Sequence, residues 1–193
     1  MQLLLRKAKI LSAISPHDKQ VVEMMYASAL DCISDDDPFA FSCRPSLYLS
    51  KAAFHLGISF GSKPSTTVEP ATTIPPDDIR KARETVSALS RDCDNVQMII
   101  IRQCEQSLVH AELLRLEGNL CDALKEFEAV KQKSTQKSLD NLVSIAEHRV
   151  KFIEHEKFKS NVIDELLEDL PDQFGDTQAE STCPSDAIGT PDS

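Results

Sequence analysis

The stretch AELLRLEGNLCDALKEF, residues 111–127, decides the fold. An apolar helix runs up to Glu117, turns at Gly118-Asn119, and a second, amphipathic helix continues through Val130. Gly118 tolerates positive φ and ends the first helix without a steric penalty. Ala111 and Ala123 are small where two antiparallel helices would touch, so the backbones can approach closely, and Leu114 extends the apolar row. Phe127, one turn after Ala123, fills the space beside that crossing. The stretch therefore predicts a helical hairpin.

Helical periodicity extends outward on both sides. Towards the N-terminus, Val96, Ile100, Cys104, Leu108, Ala111 and Leu114 share one face of a helix over 95–117, and the run Ile99-Ile100-Ile101 predicts burial on more than one side. Asp77-Asp78 cap a helix over 79–91 that carries Ile79, Ala82, Val86 and Leu89. Arg44-Pro45-Ser46 opens a helix through Ile58. Ser15-Pro16 opens another, through Ile33, which Asp35-Asp36-Asp37-Pro38 stops. Residues 2–14 form a short first helix. Towards the C-terminus, helices are predicted over 119–133 and 137–158, the latter with Leu139, Leu142, Ile145, Ala146, Val150 and Ile153 on one face.

Two segments break this pattern. Residues 61–78, GSKPSTTVEPATTIPPDD, hold four prolines and no periodic apolar face, so they read as a linker. After Phe174 the composition is that of a disordered tail. The acidity is also uneven. No Lys or Arg follows Lys159, while nine of the 31 acids do, which leaves 22 acids against 21 bases in residues 1–159. An acidic tail repels phosphate backbones and no arginine-rich stripe offsets it, so direct nucleic-acid binding is not expected. The organisation read from the chain is 1–60 N-terminal helices, 61–78 linker, 79–170 hairpin core and 171–193 acidic tail.

None of the six cysteines forms a C-x-x-C pair, and Cys104 and Cys121 lie on apolar helical faces, which fits reduced thiols in a cytoplasmic or nuclear protein. No apolar run reaches the ~20 residues that span a bilayer. The basic, amphipathic opening MQLLLRKAKILSAIS has two readings, a structural first helix or a mitochondrial transit peptide, and the first is preferred because transit peptides are usually richer in Arg and Ser.

Ala111, Leu114, Gly118, Ala123, Phe127 and Val130 together resemble the core of a tetratricopeptide repeat, matching over about one repeat of ~34 residues. The family's closing proline is replaced near Thr135. Leu4, Ala8, Leu11 and Pro16 look like the closing helix of an earlier repeat whose first half would precede Met1, as in a truncated product or isoform. The resemblance implies an all-α array of antiparallel hairpins that binds a peptide or helix in a groove. The alternative within the same class is an irregular bundle.

Catalytic signatures are not found. There is no G-x-S-x-G, phosphate-cradling loop, dinucleotide fingerprint or H-E-x-x-H, and His17, His55, His110, His148 and His155 read as exposed or partly buried helical histidines. Glu84 and Glu105 read as helix-surface charges. No enzyme activity, cofactor or metal is expected. Val162, Ile163, Leu166, Leu167 and Leu170 form an apolar stripe among acids in 161–174, ended by Pro171. That stripe either caps the fold or lies in a partner's groove. The expected function is a non-enzymatic scaffold or complex subunit with protein partners. The alternative is a small adaptor or inhibitor that acts through the acidic C-terminal segment.

Overall fold

The computed structural model describes residues 18–33, 38–60, 74–94 and 97–168, together with positions 3, 6–8 and 10. The expected tail, most of the linker, Ser15-Pro16 and Val96 lie outside them. The described residues are all-α with no strand. Six helices have defined bounds: α1 Lys19–Asp31, α2 Pro38–His55, α3 Pro76–Asp92, α4 Ile100–Leu116, α5 Leu120–Gln136 and α6 Asp140–Glu168. The chain divides into two units, Met1–Glu156 and Lys157–Ser193, and the core belongs to the first.

Local chemistry explains most boundaries. Pro38 opens α2, where the sequence predicted a stop followed by a loop, and Pro45 lies inside that helix instead of starting it. A proline tolerates the first helical turn because its missing N–H would have no partner there. α3 begins at Pro76, so Asp77 and Asp78 occupy its first turn, where the macrodipole favours negative charge, and do not precede the helix as expected. α4 starts at Ile100, five residues later than expected, because Ile99 is extended. Ile99 is 64% exposed and Ile100 38%, so this isoleucine run marks the helix start and not its buried centre. α4 is nonetheless buried on several sides further along, at Cys104, Leu108, Val109, Ala111, Glu112 and Leu113. The helix expected over 137–158 begins at Asp140 and continues without a break through Glu168, into the segment 161–174 whose remaining residues lie outside those described.

Three helices end in the same way. After α2, α4 and α5 a single residue turns left-handed: Gly57 (φ 64°), Gly118 (φ 83°) and Ser138 (φ 53°). At the α4 end, Asn119 N–H donates to the Leu114 carbonyl (3.0 Å) and Gly118 N–H to that of Arg115 (3.1 Å). Leu139 N–H to the Ser134 carbonyl (3.0 Å) and Ser138 N–H to that of Thr135 (3.2 Å) repeat the pattern. Ile58 to Ala53 (2.8 Å) and Gly57 to Phe54 (3.2 Å) repeat it again. These paired bonds are the Schellman motif, which satisfies the orphan carbonyls at a helix end and reverses the chain in two or three residues. Asn119 then caps α5 by accepting from Asp122 N–H.

The core follows from these reversals. α2 packs against α1, α3 and α4, and α4 against α2, α3 and α5. One apolar cluster joins Ala53 of α2 and Leu56 just after it, Ala82 of α3, Leu108 and Ala111 of α4, Ala123, Phe127 and Val130 of α5, and Leu142, Ala146, Val150 and Ile153 of α6. A second joins Val22, Tyr26 and Ala29 of α1 to Leu47 of α2. A third joins Leu49 of α2 to Leu89 at the end of α3.

The two matched reversals respond oppositely to substitution. A methyl at Gly118 would meet nothing within 4 Å, so Gly118→Ala costs only the left-handed backbone, roughly 1 kcal/mol. Ser138 already carries a side chain there, and Ser138→Gly should stabilise by about 0.5–1 kcal/mol. Thermal unfolding should show Gly118→Ala melting below the parent and Ser138→Gly above it, by ~2–4 °C per kcal/mol.

Candidate functional site

The densest group of chemically useful side chains lies where α1, α2 and α3 meet. Glu23 comes from α1, His55 from the last position of α2, and Asp78 from the first turn of α3. The His55 side chain is 1% exposed. Its Nδ1 stands 3.4 Å from Asp78 Oδ1 and 3.9 Å from Glu23 Oε1, and its Nε2 is buried without a hydrogen-bond partner. One donor atom from each of the three residues lies within 4.8 Å of the others.

Two lysines hold the carboxylates from outside. Lys19 Nζ is 2.5 Å from Asp78 Oδ2, and Lys81 Nζ is 2.8 Å from Glu23 Oε1 and 3.2 Å from Asp77 Oδ2. A cavity of about 240 Å³ opens beside them, lined by Glu23, Tyr48, Lys51, His55, Lys81 and Thr85 among others. Burial holds His55 below the usual histidine value near 6.5, while the hydrogen bond to Asp78 and the charges of Glu23 and Asp78 oppose that shift. Its ring is therefore neutral at pH 7, with a lone pair to offer. At the cavity edge, burial and a 2.5 Å hydrogen bond to Asp92 push the Tyr48 hydroxyl up to about 12. It stays protonated and donates. Burial likewise pushes the Cys93 thiol up to about 11, which removes it as a nucleophile.

A second polar cluster sits inside the core between α4 and α6. Glu112 has no exposed surface. Its Oε1 accepts from Arg115 Nη2 (2.9 Å) and its Oε2 from Arg149 Nε (2.9 Å). The Arg115 guanidinium also lies over the Phe152 ring, 5.4 Å from its centroid. Burial pulls Arg149 below its usual value, Glu112 opposes that and the neighbouring Arg115 adds to it, so one carboxylate holds two guanidinium groups in a dry place.

Of the residues singled out in the sequence, Ala111, Ala123 and Phe127 are fully buried in the shared core and Leu114 packs against it half-buried. Gly118 is in the reversal. Val162, Ile163, Leu166 and Leu167 lie on the helical backbone of α6, and Leu170 lies outside the described residues. Three readings need correction. Glu105 is buried and paired with Arg102, because the neighbouring arginine lets it leave the surface. Cys121 is exposed in the first turn of α5, away from the apolar face. His55 differs from His110, His148 and His155, which are exposed. Nothing in local spacing joins His55 to Glu23 and Asp78, since the three residues come from different helices. The one available signal was a histidine inside the apolar row Ala52-Ala53-Phe54-His55-Leu56.

No described helix is long and apolar enough to cross a membrane.

The state of His55 leaves a mark on stability. Its folded value is depressed, so its contribution is fully present above pH 6.5 and is lost as pH falls from there through the folded value. Proton NMR should place the His55 imidazole midpoint below 6.5. Urea unfolding should show stability falling with acidification in that window, with a shallower fall in His55→Gln.

Comparison of the chain with protein-family models, with curated proteins and with solved structures gave no match.

Proposed function

We propose that this chain is a non-enzymatic interaction module, a tetratricopeptide-like array of helical hairpins that binds a peptide or helix of a partner protein. The observation that carries the reading is the packing of alternate helices. α2 packs on α4, and α4 is tied to α6 through Glu112 and Arg149, while α3 and α5 each follow one of these helices as its hairpin partner. Stacked hairpins in this arrangement bury a continuous core and leave a row of alternate helices to form a binding face. The unit is longer than the ~34 residues of the family that the sequence resembles. From Ile100 to Asp140 is forty residues, with 17-residue helices α4 and α5 between them.

The solvent faces of α4 and α6 are mixed. His110 on α4 and Asn141 and His148 on α6 are exposed, beside half-buried Gln103, Ser107, Leu114 and Ile145, the last two of which also touch the core. Polar groups interleaved with apolar ones suit recognition of a peptide, since hydrogen bonds fix its register while apolar contacts supply affinity.

The test is site-specific photocrosslinking in cells. A photoreactive residue at His110 or His148 should give a discrete crosslinked species, and one at Lys125, exposed on α5, should not. Deleting 160–193 should leave those crosslinks in place. Crosslinks only from 160–193, or lost on its deletion, would transfer the function to the acidic C-terminal segment.

A further inference from the structure

We propose that Glu23, His55 and Asp78 form a binding site for a divalent transition-metal ion of the zinc class, joining α1, α2 and α3. The site stands independently of the interaction reading.

The His55–Asp78 hydrogen bond is long, and its length is the separation that two ligands of one ion would take. Good N–H···O bonds span ~2.7–3.2 Å, and His55 Nδ1 is 3.4 Å from Asp78 Oδ1 and 3.9 Å from Glu23 Oε1. Two ligands on a tetrahedral zinc, with arms of about 2.0–2.1 Å, stand about 3.3–3.4 Å apart. The His55–Asp78 pair already has that separation. Glu23 must move inward, and it can, because its side chain is 28% exposed on a flexible stem.

The outer contacts of the two carboxylates are arranged consistently, while the second His55 nitrogen, Nε2, is buried without a protein partner. Ligating carboxylates are commonly held by an outer hydrogen bond that orients them. Lys19 grips Asp78 at Oδ2 and leaves Oδ1 towards His55. Lys81 is the competitor, a cation resting on Glu23 Oε1, but it also contacts Asp77 and keeps that partner when Glu23 turns to the ion. With Lys81 turned to Asp77, the Glu23 carboxylate is released to the ion while Asp78 is shared between the ion and Lys19, and one neutral imidazole adds a nitrogen ligand that favours zinc or cobalt over magnesium or calcium. The adjoining cavity of about 240 Å³ provides an entry path and room for water as a fourth ligand.

Cobalt(II), titrated into the full chain under reducing conditions, is the probe. One equivalent should bind with the visible absorption of a tetrahedral nitrogen–oxygen site and should raise the melting temperature. Glu23→Gln, a change at a partly exposed position that folding tolerates, should weaken binding by roughly tenfold or more. His55→Ala should abolish the visible band while circular dichroism confirms the fold. Lys81→Gln should tighten binding by removing the competing ammonium. The proposal is overturned if cobalt produces no such band, if thiolate-to-cobalt charge transfer assigns the ion to cysteines, or if Glu23→Gln binds like the parent.

Discussion

A carboxylate is expensive to dehydrate, and Glu112 has lost all contact with water. It sits on α4, the helix that packs against α2, α3 and α5, and its charge is met from α4 itself by Arg115 and from α6 by Arg149. The pairing has a geometric consequence. Arg149 reaches Glu112 only if α6 lies directly against α4. Breaking such a pair is costly because it leaves a buried charge behind, and α4 and α6 therefore have an internal fastening that apolar packing alone would not specify. Around it, Ala111 and Ala123 permit close approach of α4 and α5, and Phe127 fills the space beside them.

Chain reversals supply the other constraint. Gly118 and Ser138 stand twenty residues apart and close their helices with the same pair of backbone hydrogen bonds. A two-residue reversal leaves the following helix no choice but to run back along the one before it. The first reversal was legible because glycine is the residue that accepts a left-handed backbone at no cost. The second was hidden, since serine rarely adopts that conformation and Ser138 does so only because Leu139 N–H finds the Ser134 carbonyl.

Much of the all-α fold could be read from the spacing of apolar residues, because burial on one face of a helix imposes a 3.6-residue period. Boundaries were harder. Pro38 and Pro76 each open a helix in a place where the sequence suggested a stop or a cap, which reflects the two-sided nature of proline. The candidate site was almost invisible. Glu23, His55 and Asp78 are far apart in sequence, and each looks like an ordinary helical residue. Their meeting depends on how α1 and α3 flank α2, which is a tertiary fact. Glu112 was hidden in another way: it lies within an apolar run, where its burial is paired with an arginine some 37 residues away.

The direct fastening of α4 to α6 is the central claim, and a double-mutant cycle measures it. Urea unfolding of Glu112→Gln, Arg149→Met and the double variant isolates the coupling between the two side chains. With the ion pair buried as described, the coupling should be on the order of 2–3 kcal/mol, and the double variant should be less destabilised than the two single changes would add up to. Additivity within about 0.5 kcal/mol would show that α6 is not held to α4 through this pair, and the account of that fastening would fail.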